Sequence, residues 1–229
     1  MSGWIFAAVI ASVAVYSWNR WQQLARAEFI RNYPFPLGLF DKLHAKRPSL
    51  EKKDMQLVAR ALRQFFLAHL QSGRQYVSMP SQVADDLWHE FILYTRNYDT
   101  FCRRAFGRFM HHTPAVALGR ERQNNAGLRR VWWYSCKEEN INPAKPTRLP
   151  LLFALDKKLG VADGFVYTPD CSKVHDRQDG TVHCGGDFSS SSYDGSTDGF
   201  GDSGASDSGG GDGGGDSGCG GGGCGGGGD

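Results

Sequence analysis

Residues 185–229 contain no lysine or arginine, and residues 1–19 contain no charged side chain. Between them no convincing run of alternating apolar and polar residues occurs. Each absence excludes something. Without alternation no half-buried strand is convincing as part of a sheet, and with helical signals dominating the body the chain reads as an all-α small helical bundle with short connections. The cation-free tail holds 21 of the 30 glycines and eight of the aspartates. From residue 188 onward its Ser, Asp and Gly mixture buries too little apolar surface to offset chain entropy, which predicts a disordered acidic Gly/Ser/Asp/Cys-rich segment over 188–229. Cysteine is scarce in the body: only Cys102 and Cys136 precede residue 171. Both sit in apolar helical patterns, where a buried thiol is inert rather than nucleophilic.

Charge is unevenly distributed. The chain has 26 basic and 24 acidic residues, and the tail takes eight of the acids, so residues 1–184 carry 26 against 16, or about +10. Such a body favours anionic partners: its own tail, anionic lipid or nucleic acid. Eight Arg or Lys and two acids lie between Asn97 and Lys137, interleaved with Phe101, Phe106, Phe109, Trp132, Trp133 and Tyr134. That mixture can stack single-stranded nucleic acid, but a solvated basic face over a helical core explains it better, and nucleic acid is disfavoured.

The uncharged start, GWIFAAVIASVAVYSW, has Trp4, Trp18 and Trp21 near its ends. Its apolar length and flanking tryptophans predict a single transmembrane helix over residues 1–22. No Lys or Arg precedes the apolar core, which argues against a cleaved signal. Arg20, Arg26 and Arg31 follow it, so the positive-inside rule predicts a single-pass membrane protein with its body facing the cytoplasm, where anionic headgroups could attract the basic surface. Its cysteines should then be reduced.

Within a body spanning 23–160, Ser49 caps a helix from about Leu50 to Ser72, with Gly73 as the stop. Ser78-Met79-Pro80 opens the next, which continues to Gly107 with a bend near Asn97. Further helices are expected over Arg120 to Glu139 and Leu151 to Leu159, the second after the stiff Asn142-Pro143, Lys145-Pro146 and Leu149-Pro150 link. Residues 161–187 read as an irregular arm.

The chemistry-bearing stretch is QVADDLWHEFILY, residues 82–94. On a helical wheel Val83, Ala84, Leu87, Trp88, Phe91, Ile92 and Tyr98 share the buried face, and Asp85, His89 and Arg96 form a row at its flank. A zincin would need a second histidine at position 93, one turn after His89-Glu90; Leu93 stands there, so that protease class is excluded. His111 and His112, in a turn after FGRF, offer further imidazoles. Asp85, His89 and one of these two would make the two-imidazole, one-carboxylate set that holds zinc or non-haem iron. About three helical turns, roughly 16 Å, separate them unless the chain breaks near Gly107 or bends near Asn97. The competing reading is a plain Asp85–His89 pair supporting the helix surface, with Trp88, Tyr98 and Arg96 in structural roles.

Residues Met79-Pro80 through Pro114, with D-x-x-W-H at Asp85 to His89, then FIL, Tyr98, Phe101-Cys102 and FGRFMHHTP, resemble the glycine-rich domain-containing protein family. The Gly- and Cys-rich end from Cys184 agrees with that name. Plant-like members carry W-H-x-H, whereas this chain has Phe91 at the second position, a departure that bears on any shared metal site. The resemblance implies a fold but no settled reaction.

A second ligand set, Cys171, His175, His183 and Cys184, is zinc-like in residue type but matches no common finger spacing. Cys219 and Cys224 bracket four glycines and would lose much chain entropy on forming a closed site. The sequence therefore predicts a helical binding or interaction module, with a divalent metal such as zinc as its cofactor candidate and a protein partner it does not specify. A metal-dependent enzyme centred on His89 is the alternative.

Overall fold

The computed structural model describes residues 2–112, 122–169 and 182–184. Among these residues seven helices carry nearly all of the regular structure: α1 (Ser2–Arg31), α2 (Leu39–Lys46), α3 (Lys52–Gln71), α4 (Gln82–Leu93), α5 (Thr95–Phe106), α6 (Arg122–Glu138) and α7 (Leu151–Leu159). The remainder is one short parallel ladder, β1 (Val166–Thr168) with β2 (Val182–Cys184), in register from Val166↔Val182 to Thr168↔Cys184. The body is thus the helical bundle expected. The 188–229 tail lies outside the described residues.

The core forms around α3, which packs against α1, α4, α6 and α7. Its sequence explains why: Met55, Val58, Leu62, Phe65 and Phe66 recur at helical spacing and all are buried, while Gln56 and Arg60 on the opposite side are exposed. Glu51 and Asp54 close its start as a reciprocal capping box, two residues later than Ser49 suggested. Gly73 ends it in the left-handed region (φ 73°). Phe66 then meets Phe101 of α5 (ring centroids 4.9 Å) and Phe65 meets Trp88 of α4 (5.0 Å), so aromatic pairs knit three helices together.

Ion pairs fasten the periphery. Asp86, nearly wholly buried, takes Lys46 at 2.6 Å and Arg47 at 2.8 Å, tying α4 to the end of α2. Arg31 makes a bidentate pair with Glu138 (2.7 and 2.9 Å), locking the end of α1 to α6. Both cysteines of the body are buried, and burial pushes their thiols up, Cys136 to about 12, which leaves little thiolate at neutral pH.

One expectation is corrected. Among the described residues no helix is long and apolar enough to cross a membrane. The uncharged run is diluted by Ser2, Gly3, Ser12, Ser17 and Asn19, and its mainly aliphatic part, residues 5–15, reaches only about 16 Å at 1.5 Å per residue, against roughly 30 Å of hydrocarbon. The single-pass, cytoplasm-facing placement is therefore withdrawn, and with it the transmembrane element of the fold. Instead α1 runs unbroken from Ser2 to Arg31, exposed from Ile5 to Trp21 and docked on the core through Ala27 and Ile30.

Candidate metal centre

Asp85 and His89 stand one turn apart on α4, whose start is fixed by the Ser81 side chain accepting from the Ala84 amide. The helix does not continue to Gly107. It breaks at Tyr94 (φ −79°, ψ 60°), α5 begins at Thr95, and Gly107 ends α5 in the left-handed region (φ 76°). These two breaks fold residues 108–112 back towards α4 and bring His112 to Asp85.

Asp85 sits between two imidazoles. Its Oδ2 is 3.4 Å from Nδ1 of His89, and its Oδ1 is 3.3 Å from Nε2 of His112. One ligand atom from each of the three residues lies within 4.8 Å of the others. The two histidine rings meet at 4.4 Å between centroids, and the Trp88 indole packs edge-on against His112 at 4.5 Å. At metal–ligand distances of about 2.0–2.2 Å, tetrahedral ligand atoms are about 3.3–3.6 Å apart, and each imidazole stands at about that distance from one of the two carboxylate oxygens. His112 and Asp85 are mostly covered while His89 is 45% exposed, so the group opens to solvent on one side.

The segment carrying His112 is itself held. Tyr98, 1% exposed, accepts from Trp88 Nε1 (3.1 Å) and donates to the Met110 carbonyl (2.7 Å). Burial pushes the Tyr98 phenol far above its ordinary range, so the hydroxyl keeps the proton it donates. Tyr98→Phe is expected to lower stability by about 1–3 kcal/mol, because it strands a buried indole N–H and a buried carbonyl; urea unfolding followed by tryptophan fluorescence would measure it.

The other candidates fall elsewhere. His111 is exposed, its ring 4.8 Å from Phe109, and it is outside the cluster. Arg96 is exposed in the first turn of α5, because the break at Tyr94 cuts the row that a continuous helix would have made with Asp85 and His89. Of the second set, Cys171 and His175 lie outside the described residues, as do Cys219 and Cys224; His183 and Cys184 pair with Tyr167 and Thr168 in the ladder. Sequence reasoning missed the role of Tyr98 as a bridge to Met110, a link between a helix and a loop that no spacing rule encodes.

No curated protein and no solved structure matches the chain. The resemblance to glycine-rich domain proteins is not upheld: the family model that matches is a different one. The match begins within α1, spans the remaining helices and the site, and ends at residue 188, so most of the Gly-rich tail that suggested the other family contributes nothing to it. With residues 25–188 matched out of 229, the chain belongs to the UCP032817-like family.

Proposed function

We propose that this domain is a helical metal-binding module in which Asp85, His89 and His112 hold one divalent transition metal ion, zinc or ferrous iron. The observation that carries the reading is the placing of one carboxylate between two imidazoles drawn from separate parts of the chain. Two nitrogens and one oxygen suit zinc and non-haem iron, and are softer than the all-oxygen shell that calcium or magnesium takes. Around the ligands, Trp88, Tyr98 and the Met110 carbonyl restrain His112 as outer-shell groups do in metal sites.

A second reading, a metal-dependent enzyme at the same site, is favoured by the exposed edge at His89. Three protein ligands leave a coordination position free, as in catalytic rather than structural zinc sites. A metal there would lower the pKa of a bound water or polarise a carbonyl or phosphoryl oxygen.

Elemental analysis of the purified full-length chain tests the proposal. About one equivalent of zinc or iron is expected, falling at least roughly tenfold in His89→Ala, His112→Ala and Asp85→Asn, with helical circular dichroism retained. Wild-type protein that takes up no metal, even after incubation with zinc or with iron under anaerobic conditions, would reduce the cluster to a carboxylate hydrogen-bonded by two histidines. Cobalt substitution separates the two readings: visible bands that shift with added azide indicate an open position, and bands indifferent to it indicate a closed one.

A further inference from the structure

At the end of α3 the backbone closes a Schellman turn, with the Gly73 amide on the Leu70 carbonyl (3.2 Å) and the Arg74 amide on that of His69 (2.9 Å). The glycine suits its left-handed conformation. Arg74, next to it, is also left-handed at φ 63°, and among the described residues the only other such non-glycine is Asn140. Asparagine tolerates that region, whereas a long side chain is strained in it. Strain of this kind concentrates where function requires a side chain to be aimed.

What Arg74 reaches is also unusual. Its Nε is buried with no hydrogen-bond partner, a state most buried polar atoms avoid. Arg108 comes in from beyond α5 and donates through Nη2 to the Arg74 carbonyl at 2.6 Å. The guanidinium of Arg26, on α1, rests over Gly107: a Cβ there would meet Nη1 and Nη2 at 3.4 Å. Burial, then the positive fields of Arg26 and Arg108, disfavour the charged form of Arg74. Among the described residues none of the three forms an ion pair, whereas Arg31, Arg47, Arg103 and Arg148 all do.

Arginines at helix C-termini help to neutralise the carbonyl ends. That accounts for Arg108 on a backbone oxygen. It does not account for three guanidiniums gathered without a counter-charge around a buried, unpaired N–H. An anion with several oxygens would supply the missing counter-charge and reverse the repulsion, and planar guanidinium forks match phosphate oxygens.

We propose that Arg26, Arg74 and Arg108 form a binding site for a phosphoryl group, separate from the Asp85–His89–His112 cluster. Three cations favour a dianion over a single carboxylate. The site draws on α1, the α3–α4 turn and the end of α5, so its occupation stiffens three elements at once.

Thermal melting and calorimetry of the full-length chain, in inorganic phosphate against chloride at matched ionic strength, are the test. Saturable stabilisation with a Kd of roughly 1 mM or tighter is expected. Arg74→Gly removes the guanidinium at a position whose backbone favours glycine. It should raise the melting temperature of the phosphate-free protein by about 2–4 °C while weakening phosphate at least roughly tenfold. Arg26→Gln should weaken phosphate similarly without touching the strained position, and Arg60→Ala, an exposed arginine on α3, should leave it unchanged. Vesicles containing phosphatidate, compared with phenyl phosphate, distinguish a lipid headgroup from a soluble phosphomonoester as the source. Absence of a saturable phosphate effect in the wild type, or equal effects in Arg74→Gly and Arg60→Ala, would overturn the proposal.

Discussion

Asp156→Ala is expected to destabilise the protein by about 3–5 kcal/mol, the largest loss foreseen for any single polar side chain here. Asp156 lies on α7 and is 2% exposed. Its Oδ1 accepts from the Ser81 hydroxyl (2.7 Å) and the Val83 amide (3.2 Å), and its Oδ2 from the amides of Gln82 (2.7 Å) and Phe165 (2.9 Å). The first amides of a helix have no partner within it, and they form the positive end of its dipole. One buried carboxylate therefore satisfies the start of α4 from a residue more than 70 positions away, and anchors the chain leaving α7 as well. Alanine strands four donors, of which the Ser81 hydroxyl and the Val83 amide are buried. Asp156→Asn keeps the shape and one acceptor oxygen, and should cost less, about 1–3 kcal/mol. Urea unfolding of the three proteins decides the matter, and an alanine loss below about 1 kcal/mol would mean that packing, not this carboxylate, holds α4 in place. Because α4 carries Asp85 and His89, the alanine variant should also weaken any metal the cluster holds.

That carboxylate marks the limit of what the sequence makes legible. Local signals were readable where the chain ends or starts an element by itself. α7 falls on Leu151–Leu159 as expected, because Pro150 precedes it and Gly160, left-handed at φ 64°, follows it. The stop of α3 at Gly73 is of the same kind. α2 was not foreseen: it begins after Gly38 with no side-chain cap, so it gives no start signal. The break between α4 and α5 comes at Tyr94, three residues before the bend expected near Asn97. Leu93-Tyr94-Thr95 contains neither glycine nor proline, and the apolar pattern runs through it. A tertiary contact accompanies that break: the Tyr94 hydroxyl lies 3.3 Å from where a Cβ of Gly38 would stand. The cluster depends on that break. Asp85 and His89 share a face by spacing alone, but the choice of His112 over His111 needs the turn at Gly107 and the Tyr98 bond to Met110. The membrane reading failed for a related reason. It counted the absence of charge over residues 1–19, where crossing a bilayer requires a longer apolar length than residues 5–15 provide.

Acidification from pH 7.5 to 5.5 is expected to cost about 1.4 kcal/mol of stability through His69 alone. The ring is 7% exposed near the end of α3, with Nδ1 3.0 Å from the Gln75 carbonyl and its edge against Phe106 (4.9 Å between centroids). Burial pushes its pKa down to about 4 against the upward pull of the hydrogen bond to the Gln75 carbonyl, and the guanidiniums of Arg108 and Arg74 add smaller downward fields. In the unfolded chain the imidazole titrates at about 6.5. Above that value both states are neutral and the full stability is present. Between 6.5 and 4 the unfolded chain binds a proton that the folded one refuses, so stability falls as pH falls, by about 3 kcal/mol in total, and is flat with respect to this group below 4. The upper half of that window isolates His69 from Glu139 and Asp163, whose carboxyls are held below their ordinary range and titrate at lower pH. Urea unfolding at pH 7.5, 6.5 and 5.5 gives the slope, and His69→Gln should flatten it while lowering stability at pH 7.5. Arg108→Ala removes part of the positive field and should narrow the window from its acid end. A slope in His69→Gln equal to that of the wild type would show that the acid sensitivity arises elsewhere.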